Sequence, residues 1–252
     1  MFPRLSKLDI THCPQLNLPL LPSVTQLQVT NGCSRALVGS IQNLPNLERL
    51  DLNGDGKWTS FPEEMLVGLE HLKHLRFFGL RRLKVLPTGR ANLKALEQFQ
   101  IALCENLETI TEEASHGLRF LKRIYIINCR KFKLSAGFRH LIALEHLAIE
   151  GCGEVKDIHD ALEHIMTLRS LFLSYLPNLV SLPNWLGNLG SLESLYISQC
   201  PKLTSLPMST QSLTNLKYLE IYGYSELGKR CKEGTGEDWH KIAHVPHRVI
   251  RD

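Results

Sequence analysis

The 252-residue chain is predicted to fold as an α/β solenoid. The expected shape is an arc or horseshoe of about ten stacked units, with a parallel sheet on the concave face and mostly coil and 3₁₀ turns outside. Three observations carry this expectation. In Leu192–Asn215, Leu192, Leu195 and Ile197 hold the first, fourth and sixth positions, Cys200 the ninth, and Leu203, Leu206 and Leu213 follow. The same start recurs at Leu5, Val24, Leu47, Leu72, Leu96, Leu121, Leu144, Leu168 and Leu216, at spacings of 19 to 25 residues. Within each unit the residues between the leucines are polar or aromatic, the period-two signature of a half-buried strand. A fixed period overrides the usual reading of chain length as a count of domains.

Each unit is expected to give one short strand that pairs in parallel with the next at about 4.8 Å. The return path carries apolar anchors and is wider than a strand, so the stack must curve with its strands inside. Cys13, Cys104, Cys129, Cys152 and Cys200 fall at the ninth position, where the chain leaves the strand. Cys104, Cys129 and Cys152, in three successive repeats, are read as a ladder of buried thiols, and Cys200 as a rung of the fold, rather than as redox centres. Cys33 misses that position by one residue, and Cys231 lies outside the scheme. Gly32, Asp55, Leu80, Leu176 and Tyr224 depart from the pattern there, which predicts local irregularity. Proline at 62, 87, 183 and 207 disfavours regular helix on the outer path. Residues 62–69 and 159–166 are the candidates for a helical turn or two.

Residues 1–227 therefore form the repeat domain and 228–252 a C-terminal capping segment, with Trp239, Ile242 and Val245 available to cover the last repeat. The opening repeat, from Phe2 to Leu16, has no polar segment to cover it. A solenoid end without a cap exposes apolar surface and a strand edge, so a fragment of a longer receptor or a truncated gene product is expected.

The period matches that of leucine-rich repeats. The style L-x-x-L-x-I-x-x-C-P-x-L-x-x-L-P, present in Leu192–Pro207 and closely in Leu168–Pro183, resembles the repeat region of plant intracellular nucleotide-binding leucine-rich repeat immune receptors of the coiled-coil class. The tail strengthens the resemblance: Cys231-Lys232, then Gly236-Glu237-Asp238-Trp239, then Lys241 to Pro246 look like the closing segment of that class. The resemblance implies a cytoplasmic recognition module without catalysis or cofactor. Its protein partner would be a pathogen effector, a guarded host protein or a nucleotide-binding domain. The upstream domains of that family are not in this sequence; Asn53 to Ser60 has the wrong glycine spacing for a phosphate-binding loop. A cytosolic repeat scaffold or ubiquitin-ligase substrate receptor needs only the same arc and is the alternative reading.

Composition agrees with a binding module. A net charge of +4 without a localised stripe gives no support for nucleic acid. No apolar run approaches a membrane span, and MFPRLSKLDI lacks the pattern of a signal peptide. None of the 12 asparagines starts a glycosylation sequon, and no Cys-x-x-Cys suggests zinc. The pairs His71/His74 and His159/His164 lack metal spacing. An enzyme reading rests on Cys231 with His240 and His244, but too little chain follows Leu227 to build a catalytic domain.

Specificity is expected at repeat positions three, five, seven and eight, which face the concave surface. There the sequence places Arg76, Phe78, Tyr125, Phe172, Tyr175, Tyr196, Tyr218 and Tyr222, the last five as an aromatic cluster in repeats eight to ten. The same positions in the first two repeats are polar. Exposed contiguous aromatic surface marks binding sites. Charge alternates by repeat: seven Lys or Arg and no acid between Leu72 and Ala95, then net −4, +6 and −5. The alternation predicts cross-repeat ion pairs, or a basic block at Arg76, Arg81 and Arg82 for an acidic partner.

Overall fold

The computed structural model describes residues 4–54, 57–87, 93–158, 161–223 and 225–251. Its frame is one eleven-stranded parallel sheet in sequence order. The strands are β1 (Lys7–Thr11), β2 (Gln26–Thr30), β3 (Arg49–Asn53), β4 (His74–Phe78), β5 (Gln98–Ala102), β6 (Arg123–Ile127), β7 (His146–Glu150), β8 (Ser170–Ser174), β9 (Ser194–Ser198), β10 (Tyr218–Tyr222) and β11 (His247–Arg251). Register follows the repeat, so Leu147, Leu171, Leu195 and Leu219 stand side by side and are all buried. Ten strands match the ten repeat starts. The eleventh comes from the tail.

The leucines build one continuous core. Leu47, Leu50 and Leu52 of the third repeat, like their counterparts in later repeats, are fully removed from solvent. Each such side chain contributes about 1.5–3 kcal/mol by burial. Aromatics thicken the core in repeats three to five. Trp58, Phe61, Phe77 and Phe99 form a chain of rings with centroids 5.2–5.4 Å apart.

Each of β1 to β10 is followed by a left-handed residue. His12, Asn31, Gly54, Gly79, Leu103, Asn128, Gly151, Tyr175, Gln199 and Gly223 all have positive φ, one per repeat at position eight. The turn aims each N–H at the last carbonyl of the next strand, as in Tyr175 N–H to Ser198 O at 2.9 Å. The following residue then drops into the core. Cys104, Cys129, Cys152 and Cys200 are buried there. Cys152 Sγ donates to Glu150 O at 3.4 Å within its own repeat and lies 3.8 Å from Ile126 O of the preceding one. The ladder has Leu176 as its apolar rung between Cys152 and Cys200. Cys13 is exposed. Asp55 and Tyr224 lie outside the described residues.

The outer path is short 3₁₀ turns and coil with two one-turn helices, α1 (Arg35–Ser40) and α2 (Glu112–His116). Ser34 and Thr111 start them by accepting the N–H of Leu37 and Ala114, which satisfies a donor that the first helical turn leaves open. Pro183 and Pro207 stand at the head of the 3₁₀ turns Asn184–Asn188 and Met208–Ser212, where a missing N–H costs nothing. Glu63–Leu66 is a 3₁₀ turn. Residues 161–166 form turns rather than helix, and 159–160 lie outside the described residues.

Neighbouring repeats are clipped by side-chain amides. Asn106, Asn178 and Asn215 donate to Arg81 O, Gly153 O and Gly190 O, one repeat back, at 2.6–2.8 Å. The charge alternation resolves into cross-repeat pairs: Lys73–Glu48, Arg81–Glu105, Arg123–Glu97 and Arg139–Glu112. Glu193 bridges two repeats through Arg169 and Lys217 at 2.9 and 2.8 Å. Exposed pairs of this kind are worth about 0–1 kcal/mol, so they set register more than stability.

The two ends differ. In the first repeat Leu5 and Leu8 are only half-buried and Leu16 is exposed. At the other end, Ser225 starts α3 (Glu226–Arg230), and β11 pairs in parallel with β10. The tail thus adds a strand, and its Ile242 and Val245 join the core. Asp238, from the Gly236-to-Trp239 motif, accepts from Leu206 N, Arg230 and Lys241. Lys241 in turn donates to Leu206 O.

Candidate recognition surface

Alternation along a five-residue strand sends the second and fourth side chains into the core and leaves the first, third and fifth facing solvent. In β8 this exposes Ser170, Phe172 and Ser174; in β9, Ser194 and Tyr196; in β10, Tyr218, Glu220 and Tyr222. The register aligns Tyr125, Ala148, Phe172, Tyr196 and Glu220 in one row across five strands.

Phe172 and Tyr196 pack with centroids 5.7 Å apart and planes tilted by 36°, and Tyr196 and Tyr222 with centroids 5.6 Å apart and planes tilted by 41°. Phe172 and Tyr196 are direct neighbours across β8 and β9, and the step to Tyr222 on β10 is diagonal. Tyr125 and Tyr175 do not stack on them but line the same open depression of about 380 Å³, together with Ala148, Glu150, Ser174 and Ser198. Tyr175 is 58% exposed and Phe172 41%. Tyr218 stands apart: it occupies the first row and stacks on His247 of β11, 5.0 Å away at 15°. Arg76 and Phe78 form a separate pair on β4, the guanidinium 4.8 Å above the ring. Five of the sequence-predicted residues therefore adjoin one another, Phe172, Tyr175, Tyr196 and Tyr222 with Tyr125 on the far wall.

Sequence reasoning missed Ala148 and Glu150. Their signal was their repeat position, fifth and seventh of the seventh unit, which pattern reading passed over because neither residue is aromatic. It also missed the left-handed turn at Tyr175. A bulky residue with φ 51° sits in a region that costs about 1–2 kcal/mol for a side chain with Cβ; the same conformation recurs at position eight of every repeat, so it belongs to the turn of the fold rather than to the site.

Electrostatically the surface is mild. Partial burial first, and then the neighbouring Glu220 carboxylate, raise the Tyr222 pKa above the ordinary tyrosine value. Among the described residues no group of His, Cys, Asp or Glu is arranged to hold a metal ion. Cys231 is fully buried and its pKa is pushed up to about 12, by burial and then by Asp238. A thiol in that state holds little of the thiolate that acts as a nucleophile at neutral pH. No helix among the described residues is long and apolar enough to cross a membrane.

Among solved structures the chain is similar to a leucine-rich repeat protein of Leptospira interrogans, with a TM-score of 0.75 and 21% identity over 98% of this chain and 61% of that one. It is similar also to the leucine-rich repeat domain of the type III effector XopL, with a TM-score of 0.66 and 21% identity over 88% of this chain and 77% of that one. These likenesses establish the fold. In sequence, 90 residues are 39% identical to a Solanum bulbocastanum disease resistance protein, RGA1, covering 36% of this chain and 9% of that protein. This is a leucine-rich repeat region related to those of plant disease resistance proteins. A second S. bulbocastanum protein, RGA4, is 36% identical over 72 residues, 29% of this chain and 7% of that protein. An Arabidopsis thaliana disease resistance protein is 36% identical over 103 residues, 37% of this chain and 10% of that protein. The repeat region thus spans a tenth or less of the length of these relatives. No family model matches it.

Proposed function

We propose that this repeat region is the protein-recognition module of a cytoplasmic plant immune receptor, and that it contacts a pathogen effector, a guarded host protein or the receptor's own nucleotide-binding domain without catalysis. The observation that carries the reading is the ring chain Phe172–Tyr196–Tyr222, displayed on the open strand face beside Tyr125 and Tyr175. Aromatic side chains bury large area at low entropic cost, which is why they dominate interface energetics. The sequence relatives, which are disease resistance proteins by name, support the reading.

A site-specific photo-cross-linker tests this. Benzoylphenylalanine is placed at Tyr196 on the strand face, or at exposed Met208 on the outer path, in protein expressed in challenged leaf cells. The expected result is a discrete covalent protein adduct from Tyr196 and none from Met208. No adduct at Tyr196, or equal labelling at both, would overturn the reading.

A further inference from the structure

We propose that the depression over Ala148 is a socket for one basic side chain, arginine or lysine, presented by the partner protein; this rests on the recognition reading above and names the chemistry of its central contact.

The socket follows from the register. Tyr125 on β6 and Phe172 on β8 flank Ala148 on β7, so a single methyl group forms the floor between two rings. Tyr196 continues the wall beyond Phe172, and Tyr175 rises from the turn after β8. Four aromatic rings around a small floor suit an inserted cation, because ring faces carry the negative end of the aromatic quadrupole. Glu150, half-buried, adds a carboxylate to the same lining.

Charge decides between a basic occupant and an acidic or purely apolar one. The displayed cations of the preceding strands are already engaged: Arg49 with Asp51, Arg123 with Glu97, and Arg76 over Phe78. Glu150 has no salt bridge among the described residues. The solvent-facing positions of β7 to β10 include no Lys or Arg, and Glu150 is the one carboxylate of the lining. His146, at the start of β7, is the nearest other titratable side chain on that strand. An acidic or apolar anchor would strip water from Glu150 without return, whereas a cation replaces that water with an ion pair and ring contacts.

The test uses two capped tripeptides, acetyl-Gly-Arg-Gly-amide and its citrulline counterpart, which keeps the shape and loses the charge. Each is titrated into isotopically labelled protein and followed by amide chemical shifts. The arginine peptide is expected to give saturable shifts at Ala148, Phe172, Ser174 and Tyr196, with affinity about tenfold above that of the citrulline peptide. Glu150→Gln should weaken it about tenfold, and Ala148→Leu, which fills the floor, should remove it. Both variants should unfold cooperatively, which separates lost binding from lost fold. Absence of saturable shifts, shifts elsewhere, or equal response to both peptides would overturn the proposal. If the Tyr196 cross-linker still captures a partner in that case, the recognition reading survives and the basic anchor falls. If neither the peptide nor the cross-linker responds, both fall.

Discussion

The carboxylate of Asp238, 1% exposed, accepts the backbone N–H of Leu206 at 2.8 Å across 32 residues of chain. This bond ties the tail to the outer path of the ninth repeat. Lys241 completes the loop by donating to both Asp238 and Leu206 O. The tail motif that marks the sequence therefore has a structural purpose.

Asp238→Asn is expected to lower stability by about 3–5 kcal/mol, because buried Lys241 loses its counter-charge. Urea unfolding at neutral pH measures this; a loss under about 1 kcal/mol would make the clamp incidental. Burial works against the charged carboxylate, but Arg230, Lys241 and the Leu206 N–H outweigh it and hold the Asp238 pKa below its ordinary value. A depressed folded value means the stabilisation is full above the unfolded value of about 3.9 and fades as pH falls through the lower folded one. The wild type should therefore show an acid-induced loss below about pH 4 that is smaller in the variant.

Tyr175 carries its ring on a left-handed backbone. Tyr175→Asn, which tolerates that conformation, is expected to raise stability by about 0.5–1 kcal/mol. Tyr175→Ala keeps the strain and should not. If Tyr175→Ala stabilises as much as Tyr175→Asn in denaturant melts, the gain does not come from the backbone.

The seven cysteines should separate by rate under a thiol reagent. Cys13 is exposed and Cys33 half-buried, whereas Cys104, Cys129, Cys152, Cys200 and Cys231 are buried. Burial pushes the Cys152 pKa up to about 12, so little thiolate exists at pH 8. Cys13 is expected to label first and the five buried thiols only on unfolding. Rapid native labelling of Cys152, read by mass spectrometry, would contradict the ladder.

Protection against hydrogen exchange should rise from the first repeat toward the middle. β1 has a paired strand on one edge only among the described residues, and its Leu8 is half-buried where Leu147 of β7 is fully buried. Solenoid stability is a sum over neighbours, so β1 should exchange fastest and β5 to β8 slowest. Uniform protection would imply all-or-none unfolding of the whole stack.

Strand positions were legible because burial alternates with the sequence period, as Leu195 and Ile197 show in β9. The eleventh strand was not, for an identifiable reason. Val245 and Ile250 take the places of Leu216 and Ile221, but the fourth position, Leu219 in β10, is Arg248 in β11. That arginine lies 4.7 Å from the Trp239 ring and donates to Ala243 and Val245 carbonyls, so a charged residue fills a leucine site through partners in the tail itself, which the period-two pattern does not encode. The aromatic face was legible residue by residue. Its division was not: Tyr218 and Tyr222 share a strand, yet one stacks on His247 and the other packs at a tilt against Tyr196.

Because each strand meets only its two neighbours, the stack tolerates loss or duplication of a whole unit between equivalent leucines. Deleting 144–167 would join Leu121–Ala143 to Leu168 and set Tyr125 directly against Phe172, erasing Ala148 and Glu150 together. Unequal exchange at such boundaries would thus redraw the displayed surface in one step while every remaining leucine keeps its place. Diversity of recognition in such an array can be inherited in blocks of about two dozen residues as well as by single substitutions.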